Sequence, residues 1–300
     1  MEGPVHPRSR GWCPSCHDRF VAASTGRLYL VGTPIGNLGD MTDRARETLA
    51  SVDVVAAEDT RRTGRLLARF GIGARMLSLF EGNERARTPE VLELLRGGES
   101  VAVVSDAGMP GLSDPGFRLV RACVDEGIDV RVVPGPSAAV TALVVSGLPT
   151  DRFSFEGFLP RRVGERRSRL EALSTDPRTV VLFESPRRLA RTLVEVQGIL
   201  GDRRVAVVRE LTKLHEEVLR GQASEVRELL EGRDVKGEIV LVIEGATEEP
   251  AKDADLAVKE ARALVSAGLK PRAAAAEVAR RRGVSANRVY AALVERQRAD

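Results

Sequence analysis

Acidic side chains recur at the ends of apolar runs in this chain. Glu58 and Asp59 follow the run DVVAA in AAEDTRR, and Asp106 follows VAVVS. Glu184 follows TVVLF, and Glu210 ends RVAVVRE. A carboxylate in such a place can act as a general base, or it can cap the next helix and pair with the many arginines. Glu184-Ser185-Pro186 reads as a cap, because Pro186 suits a first helical turn. Nucleophilic triads and metal centres find little support. The histidines are His6, His17 and His215, and no HExxH or paired-cysteine spacing occurs beyond the first 25 residues. Cys13-Pro-Ser-Cys16-His17 spells a haem-attachment pattern but has neither an export signal nor a second ligand pair. It reads as part of a flexible N-terminal extension.

Three loops rich in glycine and proline are the second chemical signal: GTPIGNLGD (32–40), SDAGMPGLSDPG (105–116) and PGPSAA (134–139). Each follows an apolar run, so all three fall at the carboxyl edge of one sheet, where open parallel sheets bind ligands. Glycine there permits positive φ and close backbone approach. Neither familiar phosphate loop is present, because no G-x-x-x-x-G-K-[S/T] and no G-x-G-x-x-G string occurs in these loops. An ATPase or ordinary dehydrogenase is therefore disfavoured. Backbone-dominated loops suit an adenosine-like cofactor held by amides and carbonyls.

The elements that must position these residues alternate. LYLVG, DVVAAE, VAVVSD and DVRVVP read as strands, separated by helices over about 42–50, 60–69, 88–96 and 114–126. That order predicts a parallel sheet covered on both faces. From Leu148 onward FSFEGF, TVVLFE, RVAVVREL, EEVLRG and GEIVLVIEG read as strands, with helices at 161–173, 186–200 and 223–230. The short step from RVAVVREL to LHEEVLRG predicts antiparallel pairing and hence a mixed sheet. The fold class is α/β, with two α/β domains and a small C-terminal helical module. The expected boundaries are an extension over 1–25, domains over 26–147 and 148–246, a linker over 247–254 and a helical tail over 255–300. In the tail, Pro271 suits a first turn and Ser285 an N-cap. Its helix–turn–helix spacing fits a nucleic-acid module or a helical cap equally well.

The chain has 300 residues, 43% hydrophobic and 30% charged, with net charge +3. No run of about 18 apolar residues occurs, which predicts a cytoplasmic protein outside the membrane. Basic residues are nearly all arginine, clustered at Arg61, Arg62, Arg65 and Arg69, at Arg161, Arg162, Arg166, Arg167 and Arg169, and at Arg187, Arg188 and Arg191. Singly, each cluster reads as a solvated helix face.

Taken in order, LYLVGTPIGNLGDMT, AAEDTRRTGRLLARFGI, VSDAGMPGLSDPG, VPGPSAAVTAL, SGLPTDRFSFEGFLPR, FESPRRL, RELTKLHEEVLRG and GEIVLVIEG resemble the ribosomal RNA small subunit methyltransferase I family. That family is a branch of the tetrapyrrole methylase superfamily. The resemblance spans Gly26 to Gly245 and implies a homodimeric S-adenosylmethionine enzyme. Its implied activity is methylation of a cytidine ribose 2′-hydroxyl in the decoding region of 16S rRNA, with the cofactor in a cleft between two α/β domains. It places cofactor contacts on Asp106, Ala107, Gly108 and Met109, and on Pro134, Gly135, Ser137 and Ala138. Further contacts fall on Leu182, Phe183, Gly237 and Glu238. Three positions depart from the family's usual residues: Gly82 and Arg187 stand where histidine is common, and Met109 where threonine is usual. For the chemistry, the candidate bases are Asp59, Glu58 and Asp106, in that order. Thr33 and Asn37 are candidates to orient the ribose or phosphate. Arg61, Arg62, Arg161 and Arg162 are candidates to pair with RNA phosphates. The alternatives are a tetrapyrrole C-methyltransferase and a non-catalytic RNA-binding protein.

Overall fold

A computed structural model describes residues 26–247, 251–282, 284 and 286–297. The CPSCH stretch, the 1–25 extension and the predicted Ser285 cap lie outside the described residues. The chain forms two units.

The first unit comprises the segment ending at Gly32, together with Asp43–Asp106 and Pro110–Pro134. Its strands are β1 (Leu28–Val31), β2 (Val54–Ala57), β3 (Arg75–Ser78), β4 (Val101–Val104) and β5 (Val130–Val133). They pair in the order β3-β2-β4-β1-β5, all parallel. Helices α1 (Asp43–Ser51), α2 (Thr60–Arg69), α3 (Glu84–Arg96) and α4 (Phe117–Asp125) belong to this unit. β2 and β4 are buried along their whole length, as expected for strands covered on both faces. Leu28, Val54, Val101, Leu95, Leu119 and Cys123 share its core. Two elements escape the sequence pattern. β3 is a half-exposed edge strand without clear alternation. α3 begins at Glu84 rather than near 88, because Pro89, which reads as a helix start, sits inside the helix.

The second unit comprises Thr33–Thr42, Ala107–Met109 and the chain from Gly135 onward. Its strands are β6 (Phe153–Phe158), β7 (Thr179–Glu184), β8 (Arg204–Arg209), β9 (Glu217–Gln222) and β10 (Ile239–Ile243), in the order β6-β7-β10-β8-β9. β6 and β7 run parallel and the other pairs antiparallel, so the sheet is mixed as predicted. The strand period of two divides its side chains between two cores. Val180, Leu182, Val205, Val207 and Leu241 pack with α6 (Val163–Leu173), α7 (Pro186–Leu200) and α8 (Ala223–Leu230). Val181, Ala206, Val208, Val240 and Val242 pack with Ala139, Ala142 and Leu143 of α5 (Ala138–Ser146).

α5 therefore corrects the expected boundary at 147/148, since the second unit takes the chain from Gly135. The second sheet is apolar on both faces, and α5 covers the face that α6, α7 and α8 leave. Its sequence, AAVTALVVS, is apolar all round, so it shows no 3.6-residue period to mark it as a helix. The expected linker over 247–254 is also shortened. α9 (Ala251–Ser266) starts within it, because Ala-Lys-Asp-Ala combines polar composition with good helix formers. α9 is followed by α10 (Pro271–Arg282) and α11 (Ala286–Gln297). Ala257, Ala261, Ala274, Val278, Val289 and Leu293 give these three helices a core of their own.

Candidate active site

In the first unit, β2 and β4 are neighbours, so the acids at their carboxyl ends converge. The Asp59 amide donates to Asp106 Oδ1 at 3.2 Å, and the Asp106 amide donates to Glu58 Oε2 at 3.2 Å. Arg62 Nη1 donates to Asp106 Oδ2 at 3.0 Å. Asp59 is the N-cap of α2, where its Oδ1 accepts from the Arg61 amide at 2.8 Å and the Arg62 amide at 3.4 Å. Its side chain also pairs with the Arg61 guanidinium at 3.2 Å. Those bonds, led by the Arg61 side chain, hold the Asp59 carboxyl down to about 2. A carboxylate so committed binds a proton weakly, which removes the support for Asp59 as the leading base. The Arg61 and Arg62 side chains are 87% and 62% exposed, so both remain accessible while paired.

Asp114, which the sequence reading passed over, joins this group. Burial, then the charges of Glu58 and Asp106, push its carboxyl up to about 6, against a hydrogen bond with Ser105 that lowers it. Sequence supplied one signal, the acid in Ser113-Asp114-Pro115-Gly116 at the end of a glycine loop. Its nearness to Glu58 depends on the β2–β4 pairing. Among the described residues, no group of three or more His, Cys, Asp or Glu is arranged to hold a metal ion.

The loop carrying Asp114 is pinned by Glu84. The N-cap of α4 is Gly116, at φ +131°, which has no side chain to cap the helix. Glu84 Oε1, buried at the start of α3, substitutes by accepting from the amides of Gly116, Arg118 and Leu119 at 3.0, 2.9 and 3.3 Å. Glu84→Ala leaves those donors without this acceptor and is expected to lower stability by about 2–4 kcal/mol, with Glu84→Gln less affected. Urea unfolding of both variants checks this. Equal stability of Glu84→Ala and wild type would contradict it.

The second unit contains most of the other predicted positions. Thr33 is buried and exchanges backbone hydrogen bonds with Gly108, at 2.9 and 3.1 Å. This bridge stitches the loop after β1 to the loop after β4. Gly108 lies at φ +84°, and a Cβ there would meet Pro136 O at 3.3 Å and Ile35 Cγ2 at 3.4 Å. Ala107 is exposed and Met109 half-buried. Asn37 is exposed and caps the short 3₁₀ turn Leu38–Asp40, accepting from the Gly39 amide at 2.9 Å. Gly135, Ser137 and Ala138 lead into α5, and Ser137 gives that helix no side-chain cap.

Leu182 turns its side chain into the core shared with α6, α7 and α8 and is fully buried, so only its backbone can serve a ligand. Phe183 lies on the opposite face, with ring centroids 5.0 Å from Phe155 and 5.5 Å from Phe158. Gly237, at φ +94°, and Glu238 pack against Glu210. Pro134 ends the first unit's share of the chain, so the acids and most of the glycine-loop residues belong to different units.

The arginine clusters divide. Arg161 and Arg162 are exposed, with Arg162 paired to Glu165. Arg166 is buried, where its Nη2 reaches Glu195 at 2.8 Å and its Nη1 the Arg161 carbonyl at 3.2 Å. Glu184, expected as a cap, is not the N-cap of α7: Ser185 holds that position without a side-chain cap bond, and Glu184 ends β7 and pairs with Arg188 at 3.2 Å. Its Oε1 accepts from the Ser185 amide at 2.7 Å and its Oε2 from the Thr192 hydroxyl at 2.6 Å.

Comparison with known proteins supplies the family and the fold. A family model described as Tetrapyrrole (Corrin/Porphyrin) Methylases matches residues 27–227. A protein of Thermotoga maritima named Ribosomal RNA small subunit methyltransferase I is 51% identical over 220 residues, covering 73% of this chain and 99% of its own length. The protein of the same name from Escherichia coli O157:H7 is 46% identical over 283 residues, covering 91% of this chain and 96% of its own. Among solved structures, the methyltransferase CobJ aligns with a TM-score of 0.57 at 18% identity, over 76% of this chain and 97% of its own. Uroporphyrin-III C-methyl transferase from Thermus thermophilus, complexed with S-adenyl homocysteine, aligns with a TM-score of 0.52 at 22% identity, over 73% of this chain and 97% of its own. At those identities the two structures speak for the fold.

Proposed function

Since the chain belongs to the tetrapyrrole (corrin/porphyrin) methylase family, and its curated relatives over most of its length are small-subunit rRNA methyltransferases, we propose that it transfers a methyl group from S-adenosylmethionine to 16S rRNA. The acceptor is the ribose 2′-oxygen of a cytidine in the decoding region, presented in the assembled small subunit. The observation that carries this reading is the set of glycine loops, with Gly108 at φ +84° where a side chain would crowd Pro136 and Ile35. An S-adenosyl group fits such donors, because backbone amides and carbonyls can hold adenine, ribose and the methionine tail without a lysine. Asp106–Met109, Gly135–Ala138, Phe183 and Gly237–Glu238 would hold it. When bound, it supplies an electrophilic methyl carbon on sulfonium.

The chain's own residues orient the acceptor and take its proton. Alignment supplies a large part of the acceleration. A ribose hydroxyl is a poor nucleophile at neutral pH, so a base helps. We place that base within Glu58, Asp106 and Asp114, and favour Asp114. Asp106 is tied to Arg62, whereas the Asp114 carboxyl, at about 6, is matched to neutral pH. Arg61, Arg62, Arg161 and Arg162 are exposed guanidinium groups suited to phosphate.

Radiolabelled methyl transfer to 30S subunits, to naked 16S rRNA and to uroporphyrinogen tests the reading. Label in 30S with a 2′-O-methylcytidine on nucleoside analysis is the expected result, and label in uroporphyrinogen alone would overturn it. A non-catalytic RNA binder would show no S-adenosylmethionine binding in calorimetry.

A homodimer and a cytoplasmic setting belong to the same proposal. Phe117 and Val124 on α4 are 66% and 63% exposed, apolar surface that a second copy would cover. Among the described residues, no helix is long and apolar enough to cross a membrane.

The tail helices are proposed to grip RNA, on the strength of Arg280, Arg281 and Arg282 in the last turn of α10. Deleting 251–300 is expected to weaken 30S binding and flatten its salt dependence by about one unit of slope per lost phosphate contact. An unchanged slope would reduce the tail to a cap.

A further inference from the structure

Three segments of the second unit meet on Lys213. Its ammonium donates to Glu210 Oε1 at 2.8 Å and to Glu238 Oε2 at 2.9 Å. Its stem lies against Gly36, where an added Cβ would stand 2.5 Å from Lys213 Cγ and 2.9 Å from Cε. Glu210 Oε1 also accepts from the Glu238 amide at 2.9 Å, and the Glu210 amide donates back to the Glu238 carbonyl at 3.0 Å. At Gly237 a Cβ would stand 2.4 Å from that same carboxylate oxygen. At Gly36 the Lys213 stem occupies the space of a side chain, and at Gly237 the Glu210 carboxylate does so beside a φ of +94° that itself favours glycine.

The backbone of this turn is strained to allow it. Glu210 has φ +51° and Thr212 φ +64°, left-handed conformations that cost free energy in residues other than glycine. Such strain persists where the surroundings over-determine it, and it gathers at sites that must be held in one geometry. A turn that only joined β8 to β9 would be served by glycine at both positions. Here the side chains of Glu210 and Lys213 are what fasten the 33–37 loop and the 237–238 segment to the turn. Leu211 and Ile35, buried together beside α5, continue the contact below.

We propose that Lys213, held by Glu210, is a positioning residue that sets the Thr33–Asn37 loop and Gly237–Glu238 in the arrangement that takes the adenosyl methyl donor. This rests on the reading of Gly237–Glu238 as part of the donor site, to which the Thr33–Asn37 loop is joined by the backbone bridge between Thr33 and Gly108. Lys213 need not touch the donor: it acts through the two glycines and Glu238.

Calorimetric titration of the full chain with S-adenosylmethionine tests it, using Lys213→Met, Lys213→Ala, Gly36→Ala and the double variant Gly36→Ala/Lys213→Ala. Lys213→Met keeps the stem and loses the charge, whereas Gly36→Ala keeps the charge and displaces the stem. Each is expected to weaken donor binding about tenfold. Each should also raise the donor KM more than it lowers kcat. With Lys213 already cut to alanine, adding Gly36→Ala should cost less than about twofold, because contacting residues are not additive. Glu210→Gln carries the same expectation as Lys213→Met and serves if that variant does not fold. A wild type that binds the donor, beside variants of lowered melting temperature and unchanged donor affinity, would overturn the positioning role. A wild type that fails to bind the donor would overturn the donor reading along with it.

Discussion

Asp114→Asn is expected to be a more stable protein and a nearly inactive enzyme. The activity loss follows if Asp114 takes the proton, since removing a general base costs roughly 10²–10⁴-fold in rate. The wild-type rate should rise with pH through about 6, as Asp114 ionises, and the variant should lack that limb. The stability gain follows from linkage. Burial, Glu58 and Asp106 raise the Asp114 carboxyl from 3.8 to about 6, so between these values the folded chain holds more protons than the unfolded one. Stability from this group is then fully present below the unfolded value, falls as pH rises through the window and levels off above about 6. At pH 8 the folded protein carries an ionised Asp114 at a cost. Asparagine keeps a partner for Ser105 and removes that cost, a gain of about 1–2 kcal/mol after discounting for solvent screening. Single-turnover methylation and urea unfolding across pH 4–9 check both halves. An active Asp114→Asn protein would return the base to Glu58 or Asp106. A variant no more stable at pH 8 than wild type would contradict the account of the acid group.

Gly108→Val is expected to lose donor binding by about tenfold to a hundredfold, from the strain of a β-branched residue in a left-handed conformation. Added to that is the crowding of Pro136 O and Ile35 Cγ2. Gly127 supplies a matched control. It lies at φ +70° with nothing within 4 Å of an added Cβ, in the turn between α4 and β5. Gly127→Val therefore carries the backbone strain without the crowding and outside the donor loops. Both variants should lose stability, and only Gly108→Val should lose affinity for S-adenosylmethionine. Unchanged affinity in Gly108→Val would remove Asp106–Met109 from the donor site.

The two α/β sheets, every strand but β3 and the three glycine loops were legible in the residues, because apolar runs and glycine–proline punctuation are local properties. The acid before Ser-Pro was less legible: Glu184 does not cap α7, because its carboxylate turns to the Thr192 hydroxyl and to Arg188. Legibility ended where a residue's role depends on a partner far along the chain. Asp59 looked like the leading base, and only the start of α2 and the Arg61 side chain commit it to capping. Asp114 carried no chemical reading, and its high proton affinity comes first from burial and then from the charge of Glu58, brought near by the pairing of β2 with β4. α5 drew no helix assignment because a helix apolar all round has no polar face to give it a period, and its place on the second sheet decided the unit boundary. Gly36 looked like a loop glycine and Gly237 like the start of a strand, and only the folded chain brings Lys213 against the one and Glu210 against the other. Residue order carried most of the elements, the loops and the family resemblance. Tertiary structure alone decided the proton affinities and the close approaches, since both are set by distances between residues that the chain order does not relate.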